Sequence, residues 1–251
     1  METKIFAGKT AVVTGGSDGI GLAISNELAS HGCNVAIYAR RMPEGEAAAA
    51  QIAARRETNV RFYACDVSVQ GQVIAAVSQT VRDFGGIDFL VNNAGIYPAQ
   101  SLLDMDAAAF ARVFDVNVKG MMLVTRAVAK QSMCPRKSGK IVSISSADGW
   151  LPTPGIAAYA ASKAAVNSLV KSFAIELRDA GITSNGIAPG WVATEPVLRA
   201  GRWKAQMENV LNGRMADVHE VAALVSFLLE PRADYLNGEI INLSGGLILN
   251  A

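Results

Sequence analysis

Tyr159 and Lys163 stand four residues apart in the stretch YAASK. On a helix, side chains with this spacing lie on one face. A free phenol has a pKa of about 10 and transfers protons poorly at neutral pH. A neighbouring ammonium favours the phenolate and lowers that pKa. The pair is a candidate acid and base for a reaction at a carbonyl or an alcohol. The same spacing occurs on surface helices whose lysine extends into solvent, so other features must decide between the two interpretations.

A glycine-rich turn follows the first predicted strand, where TGGSDGIG begins at Thr14. Glycines at such a junction let the backbone approach a diphosphate, and the next helix offers free N–H groups and the positive end of its dipole. The spacing is G-x-x-x-G-x-G rather than the G-x-G-x-x-G of many dinucleotide-binding folds. Its place at the first strand–helix junction predicts a dinucleotide site.

The end of the second predicted strand carries Arg40 and Arg41 and no acidic residue. An acid at this point binds the ribose 2′-hydroxyl of NAD, whereas arginines suit the 2′-phosphate of NADP. Asp18 in the glycine-rich turn opposes a 2′-phosphate if it faces one. The two arginines outweigh it, so the sequence predicts NADP(H), with NAD(H) left open.

Polar residues also end the third and fourth predicted strands. Asp66, followed by Val67, is placed to reach an adenine amino group, although an Asp there also serves as an ordinary helix cap. The segment NNAG from Asn92 supplies amides that can satisfy open backbone groups at the switch point of a sheet.

Short apolar runs alternate with helical patterns along the whole chain, which predicts an α/β fold. We expect a Rossmann-type, doubly wound, parallel seven-stranded sheet with helices on both faces, in a single domain over residues 1–251. The predicted strands are residues 10–14, 34–39, 61–67, 89–92, 140–145, 183–188 and 239–243. The predicted helices are residues 20–31, 44–56, 69–84, 106–133, 158–180 and 217–229. Residues 195–213 interrupt this alternation and predict a partly helical lid over the substrate.

Composition narrows the class of protein. The chain has 251 residues, 51% hydrophobic and 18% charged, with a formal net charge of +1, so neither nucleic acid nor a membrane is an expected partner. Three separated cysteines fit free thiols in a reducing compartment. The first residues lack a signal-peptide pattern, and a cytoplasmic protein is expected. His31 and His219 lie outside any motif, and no metal site is predicted.

Taken together, these features resemble the short-chain dehydrogenase/reductase family over essentially the whole chain. The matching elements, in order, are TGGSDGIG from Thr14, DV at Asp66, NNAG from Asn92, Asn117, Ser146, Tyr159 with Lys163, PGWVAT from Pro189 and SGG from Ser244. Their joint order and spacing make the match specific. The closing motif usually has an acid where Ser244 stands, and NADP-using members often have Arg or Lys where Asp18 stands.

The resemblance implies hydride transfer between a nicotinamide and a carbonyl or alcohol carbon. It assigns substrate binding to Ser146, proton transfer to Tyr159, ribose binding to Lys163 and a water-linked proton route to Asn117. The residues expected to hold the cofactor are Gly15, Ser17, Asp18, Gly19, Ile20, Gly21, Arg40, Arg41, Asp66, Val67, Asn93, Ala94, Gly95, Tyr159, Lys163, Pro189, Gly190, Val192 and Thr194. The expected substrate contacts are Ser146, Tyr159, Trp150 and Trp191, in an apolar pocket with Ile96, Tyr97 and Leu151.

Several functions fit this resemblance. A carbonyl reductase comes first because NADPH usually drives reduction. The alternatives are a 3-oxoacyl-acyl-carrier-protein reductase, an NAD-dependent alcohol or sugar dehydrogenase, and a regulator that senses NADP without chemistry. For carrier docking, Lys137 matches one basic position, but Ile175 stands where an arginine is expected. The family also implies a homotetramer that pairs the helix bearing Tyr159.

Overall fold

A computed structural model describes residues 4–56 and 58–249. Its centre is a sheet of seven parallel strands in the order β3-β2-β1-β4-β5-β6-β7. The strands are β1 (Thr10–Thr14), β2 (Asn34–Ala39), β3 (Val60–Ala64), β4 (Phe89–Asn92), β5 (Gly139–Ile144), β6 (Ile182–Pro189) and β7 (Ile240–Leu243). The predicted α/β class and doubly wound sheet are confirmed.

The α-helices of the described residues are α1 (Gly19–Ser30), α2 (Met42–Arg56), α3 (Gln70–Phe84), α4 (Ala107–Phe114), α5 (Met121–Val128), α6 (Cys134–Arg136), α7 (Ala157–Glu176), α8 (Glu195–Ala200) and α9 (Val218–Leu229). None of them is both long and apolar enough to cross a bilayer. The expectation of no signal peptide rests on residues 1–4, of which residues 1–3 lie outside the described part of the chain.

Helices cover both faces of the sheet. In β1, Val13 belongs to an apolar core with α1, α2 and α9, whereas its neighbour Val12 belongs to a second core with α3 and α5. Adjacent strand residues point to opposite faces, so the two cores lie on opposite sides of the sheet. Helix α7 packs beside α5 through Val166 and Val170. Burial on both faces explains why the strands are apolar runs without polar alternation.

Three predicted elements differ from the observed ones in helix type or by more than two residues. The helix predicted over residues 106–133 contains π-helical turns at Asp115–Gly120 and Ala129–Met133; such turns occur inside α-helices, frequently at functional sites. Strand β3 ends at Ala64 rather than residue 67, because the Asp66 N–H bonds the Gln72 side chain. Helix α7 ends at Glu176, and one 3₁₀ turn follows it.

The strand order reverses between β1 and β4. Parallel sheets open a crevice outside the carboxyl ends of the strands at such a switch point. Thr14 links the two strands there, because its hydroxyl accepts from the Asn93 and Ala94 N–H groups at 2.9 and 3.0 Å. The fold therefore places the glycine-rich turn and the NNAG segment at the mouth of one crevice.

Candidate active site

A cleft of about 470 Å³ occupies this crevice. The residues predicted to hold the cofactor all line it: Gly15, Ser17, Asp18, Gly19, Ile20, Gly21, Arg40, Arg41, Asp66, Val67, Asn93, Ala94, Gly95, Tyr159, Lys163, Pro189, Gly190, Val192 and Thr194. Tyr159 and Lys163 lie on α7, and the others follow the carboxyl ends of β1, β2, β3, β4 and β6, so residues far apart in sequence share one cavity.

The glycine-rich turn is held so tightly that side chains do not fit. A Cβ on Gly21 would lie 2.1 Å from the Gly15 carbonyl oxygen and 2.5 Å from Asn93 Nδ2. Gly15 itself has φ +64°, in the left-handed region that favours glycine. No side chain of the described residues caps the N-terminus of α1, which leaves its first N–H groups free for phosphate oxygens. This cradle fits a dinucleotide diphosphate.

The two side-chain amides of the NNAG segment have different partners. Asn93 Nδ2 donates to the Thr14 and Gly15 carbonyl oxygens at 3.0 and 3.3 Å, so it satisfies open backbone groups at the switch point, as expected. Asn92 is buried instead and donates to the Thr125 and Ser143 hydroxyls. The neighbouring asparagines thus serve the cleft rim and the sheet interior respectively.

The two arginines after β2 differ in their partners. Arg41 pairs with Asp18, at 3.1 Å, and with Glu44, at 3.4 Å. Arg40 is exposed and makes no ion pair within residues 4–56 and 58–249. Asp18 therefore faces a cation across the turn, and Arg40 is the one of the two whose guanidinium is available to a further anion.

Asp66 lines the cleft but already has partners. Its Oδ1 accepts from the Ser68 N–H at 2.9 Å and from the Ser68 hydroxyl at 2.6 Å, and Arg112 lies 3.5 Å from Oδ2. Burial raises the pKa of Asp66, but the hydrogen bonds from Ser68 and the charge of Arg112 outweigh it and hold that pKa below its usual value. The carboxylate is ionised and able to accept from a ligand amine.

Ser146, Tyr159 and Lys163 meet at the other end of the cleft. Ser146 follows β5 and precedes a 3₁₀ turn, Ala147–Gly149. A Cβ on Gly149 would lie 2.9 Å from Asn167 Nδ2 and 3.1 Å from the Lys163 carbonyl carbon, so only glycine lets this turn pack closely on α7. That contact brings the serine to the tyrosine.

The pKa of Tyr159 corrects a sequence expectation. Burial raises it well above the usual value, and the Asp148 carboxylate and Tyr97 raise it further. A hydrogen bond between Ser146 and Tyr159 lowers the pKa but is outweighed. The expected lowering by Lys163 is wrong for this structure, in which burial dominates the pKa of Tyr159 and the ammonium lies 5.5 Å from the centroid of the Tyr159 ring. The phenol is protonated and ready to act as an acid.

Lys163 is 5% exposed, and its Nζ donates to the Ile144 carbonyl oxygen at 2.7 Å. Burial lowers the pKa of Lys163 to about 8. The residue is thus charged at neutral pH and loses its charge as the pH rises through about 8. The ammonium is anchored to the end of β5, which fixes it between the cleft and the interior.

Asn117 does not line the main cleft. It lies on the first π-helical turn, where its Nδ2 donates to the Ile96 carbonyl oxygen and the Ser162 hydroxyl, both at 2.9 Å, and its Oδ1 accepts from the Ile96 N–H at 2.8 Å. It borders a small chamber behind Lys163. Asn117 therefore fixes the Ile96 backbone beside the catalytic helix.

The predicted substrate residues are only partly brought together. Trp191, Ile96, Tyr97 and Leu151 line the cleft, and the Tyr97 and Tyr159 rings meet edge to face with centroids 6.0 Å apart. Trp150 is absent from the lining, because the 3₁₀ turn after Ser146 directs Leu151 into the cleft in its place.

Two charged residues of the cleft escape motif-based prediction. Asp148 accepts from the Ser146 hydroxyl at 3.2 Å and from the Thr153 N–H at 2.9 Å. Arg202 enters the lining from the segment after α8. For Asp148, its place two residues after the candidate serine is a usable signal; for Arg202, nothing in the local sequence distinguishes it from a surface arginine.

Metal chemistry has no visible basis in the described residues, since they contain no group of three or more His, Cys, Asp or Glu that could hold an ion. The three cysteines are free thiols, with Cys33 and Cys65 buried. Burial raises the pKa of Cys65 to about 12, so this thiol beside the cleft is not a nucleophile.

Comparison with known proteins agrees with this geometry. The family model described as short chain dehydrogenase matches residues 9–205. The 3-oxoacyl-acyl-carrier-protein reductase of Chlamydia muridarum is 34% identical over 246 residues, covering 97% of this chain and 99% of the relative. Solved structures include an NAD⁺-bound xylitol dehydrogenase, with TM-score 0.91, 32% identity and coverage of 96% of this chain and 99% of the other. A short chain dehydrogenase from Burkholderia cenocepacia in complex with NADP has TM-score 0.91 and 34% identity, covering 97% and 99%.

The matches span nearly the full length of both partners, and they agree with a cleft that joins a dinucleotide cradle to a Ser–Tyr–Lys group. Relatives bound to NAD and to NADP both occur among them. The chain belongs to the short-chain dehydrogenase/reductase family and is an NAD(P)-dependent oxidoreductase that acts on carbonyl or CH–OH groups.

Proposed function

We propose that this enzyme is an NADP(H)-dependent carbonyl reductase that acts on ketones. The observation that carries the proposal is a single cleft lined by Ser146 and Tyr159, whose phenol has a pKa raised by burial, and by the exposed cation Arg40. A protonated phenol is the form that gives a proton to a carbonyl oxygen, which reduction requires.

Each residue then has a distinct task. Ser146 donates a hydrogen bond to the substrate oxygen, where negative charge develops. Tyr159 gives that oxygen its proton. Lys163 holds the nicotinamide ribose, while Asn117 supports the route that returns a proton. The bound nicotinamide supplies the hydride.

The pairing of Asp18 with Arg41 supports a preference for NADP(H). This ion pair places a cation beside the acid that would otherwise repel a 2′-phosphate. Arg40 is left to bind the phosphate, and charge-assisted bonds of this kind are among the stronger ones in proteins. NAD(H) use stays a weaker alternative.

A screen of NADPH and NADH oxidation tests the proposal, with ketones, keto-esters and acyl-thioesters as substrates. We expect ketone reduction with NADPH and a lower kcat/KM with NADH. Oxidation of polyols with NAD⁺ in place of ketone reduction would instead favour an alcohol or sugar dehydrogenase. Binding of NADPH with no turnover of any substrate would point to a sensor.

A second candidate is reduction of a carrier-bound 3-oxoacyl thioester, which the name of the Chlamydia relative suggests. Lys137 is exposed and lies at one docking position. Ile175 is 64% exposed where an arginine is expected, and an apolar side chain does not pair with an acidic carrier. Activity confined to carrier-bound thioesters would place this candidate first.

We also propose that the enzyme is a homotetramer and that it is located in the cytoplasm. Helix α7 leaves small or apolar side chains exposed, among them Ala161, Ala164 and Ile175, which suits pairing of this helix in a homotetramer; sedimentation equilibrium tests the mass. Free cysteines suit a reducing compartment such as the cytoplasm, which cell fractionation tests.

We also propose that residues 195–213 form a lid. They contain α8 and a 3₁₀ segment, Arg202–Asn209, and contribute Pro196, Val197 and Gln206 to the cleft lining. Limited proteolysis with and without NADPH tests the idea: we expect cleavage in this segment to slow when cofactor and a ketone are bound.

A further inference from the structure

Arg202 is a cleft residue whose charge has no partner among the residues that the structure describes. It begins the 3₁₀ segment after α8 and lines the cleft. Within residues 4–56 and 58–249 it makes no hydrogen bond or ion pair, and its Nη1 atom is buried from solvent. A guanidinium N–H removed from water is stabilised chiefly by an anionic or carbonyl acceptor.

The acids of the cleft are all engaged elsewhere. Asp18 pairs with Arg41, Asp66 accepts from Ser68, and Asp148 accepts from Ser146 and Thr153. The described part of the cleft therefore offers Arg202 no carboxylate. Arg202 lines the cavity, and no carboxylate of the described residues pairs with its charge.

Arg202 belongs to the catalytic end of the cleft. Its charge acts on the phenol of Tyr97, where it opposes the effect of burial, the larger cause, and of Asp18 in raising the pKa. The Tyr97 ring in turn meets the Tyr159 ring at a centroid distance of 6.0 Å. The charge of Arg202 therefore acts on an aromatic side chain that contacts the proton donor.

We propose that Arg202 binds an oxyanion of the substrate, so that the preferred ketones carry a carboxylate or a phosphate. The inference rests on the proposed ketone reduction, since it concerns the substrate of that reaction. A guanidinium presents parallel N–H donors that match two oxygens of either group. Bound in this way, the anion would orient the carbonyl relative to Ser146 and Tyr159 and would draw the segment after α8 over the cleft.

Matched substrate pairs test the proposal: a 3-keto acid against its methyl ester, and dihydroxyacetone phosphate against dihydroxyacetone. In the wild type we expect the anionic member of at least one pair to have the higher kcat/KM, and the pair that shows it distinguishes a carboxylate from a phosphate. In Arg202→Gln that ratio should fall by about tenfold to a hundredfold, mainly through KM, with the neutral substrate little changed. Arg202→Lys should retain part of the preference.

Lys204→Gln is the matched control, because Lys204 is an exposed cation two residues further on, over the Trp203 ring and outside the cleft lining. This variant should leave the ratio of kcat/KM between the anionic and the neutral ketone unchanged in every substrate pair. Thermal unfolding and the NADPH dissociation constant, measured for each variant, separate loss of fold or of cofactor binding from loss of substrate recognition.

Three results would overturn the inference. One is equal kcat/KM for anionic and neutral ketones in the wild type. Another is an equal loss for both members of a pair in Arg202→Gln. The third is weaker NADPH binding in that variant with an unchanged substrate ratio, which would assign Arg202 to the cofactor. Absence of any ketone reduction by the wild type would defeat the proposed function itself and the inference with it.

Discussion

The cofactor end and the catalytic end of the cleft are built in different ways. Around the glycine-rich turn, the shape comes from backbone: a Cβ on Gly21 would lie 2.1 Å from the Gly15 carbonyl oxygen, and α1 presents uncapped N–H groups. Around Tyr159, the shape comes from side chains on separate elements, with Ser146 after β5, Lys163 on α7 and Arg202 after α8.

This difference determines what each end tolerates. A backbone cradle fails when any side chain is added, whatever its charge. A side-chain site depends on charge and burial, as shown by Tyr159 and Lys163, whose pKa values are shifted by burial in opposite directions. Substitutions that change volume should therefore affect the first end, and substitutions that change charge the second.

The largest effect is expected from Lys163→Met at the catalytic end. It keeps a buried, unbranched side chain but removes the ammonium, and we expect turnover to fall by about 10²- to 10⁴-fold, the usual range for an acid–base group. Because the pKa of Lys163 is lowered to about 8, wild-type reduction should also decline as the pH rises through about 8, a step that the variant lacks. Steady-state rates from pH 6 to 10 measure both.

Lys171→Met is the control for this variant. Lys171 lies on the same helix but is exposed, so its loss should leave turnover and the pH profile unchanged. An equal loss of activity in both variants would show that α7, rather than the buried charge, had been damaged.

Gly21→Ala tests the backbone cradle. The added methyl overlaps the Gly15 carbonyl oxygen, so the turn must shift, at a cost of about 1–3 kcal/mol. We expect NADPH to bind about tenfold to a hundredfold more weakly, measured by fluorescence titration. Gly71→Ala, at a helix position with no atom within 4 Å of the new Cβ, should bind NADPH normally; unchanged binding in Gly21→Ala would contradict the cradle.

Arg40→Ala tests the charge preference at the cofactor end. We expect NADPH affinity to fall by about tenfold and NADH affinity to stay the same, since only NADPH carries the 2′-phosphate. Arg41→Ala should lower the NADPH affinity less than Arg40→Ala does, because Arg41 is already paired with Asp18 and Glu44. A larger loss from Arg41→Ala than from Arg40→Ala would reverse the assignment.

Asp148→Asn should give the smallest change, which is a shift in the pH dependence of kcat/KM. The Asp148 carboxylate raises the pKa of Tyr159, so removing its charge lowers that pKa. In the oxidation direction, which needs the phenolate, the rise in kcat/KM with pH should move to lower pH, by less than about one unit. A shift to higher pH, or none, would show that Asp148 only positions the Ser146 hydroxyl.

Sequence patterns predict the backbone-built end well. The strand limits at Thr10–Thr14, Asn34–Ala39 and Phe89–Asn92 match the structure, since short apolar runs bounded by polar residues leave little choice. The glycines and the strand-end residues of the cofactor site are also predicted, because each is adjacent in sequence to the strand that positions it. The local sequence alone therefore determines where these residues lie.

The remainder depends on contacts between distant residues. The π-helical turn around Asn117 leaves no mark in the hydrophobic spacing. The pKa of Tyr159 depends on burial and on Asp148, not only on the lysine four residues away. From the sequence, Trp150 resembles a pocket residue and Arg202 resembles a surface cation. A 3₁₀ turn leaves Trp150 out of the cleft lining, and the path of the chain after α8 brings Arg202 into it.

Tyr159→Phe tests most directly the central claim that a half-buried, protonated tyrosine delivers the proton. Single-turnover mixing of the NADPH-bound variant with a reducible ketone separates cofactor binding from chemistry. We predict NADPH binding within about twofold of wild type and a rate of NADPH oxidation at least about 10²-fold lower. Oxidation at the wild-type rate with normal NADPH binding would contradict the assignment of Tyr159 and the mechanism built on it.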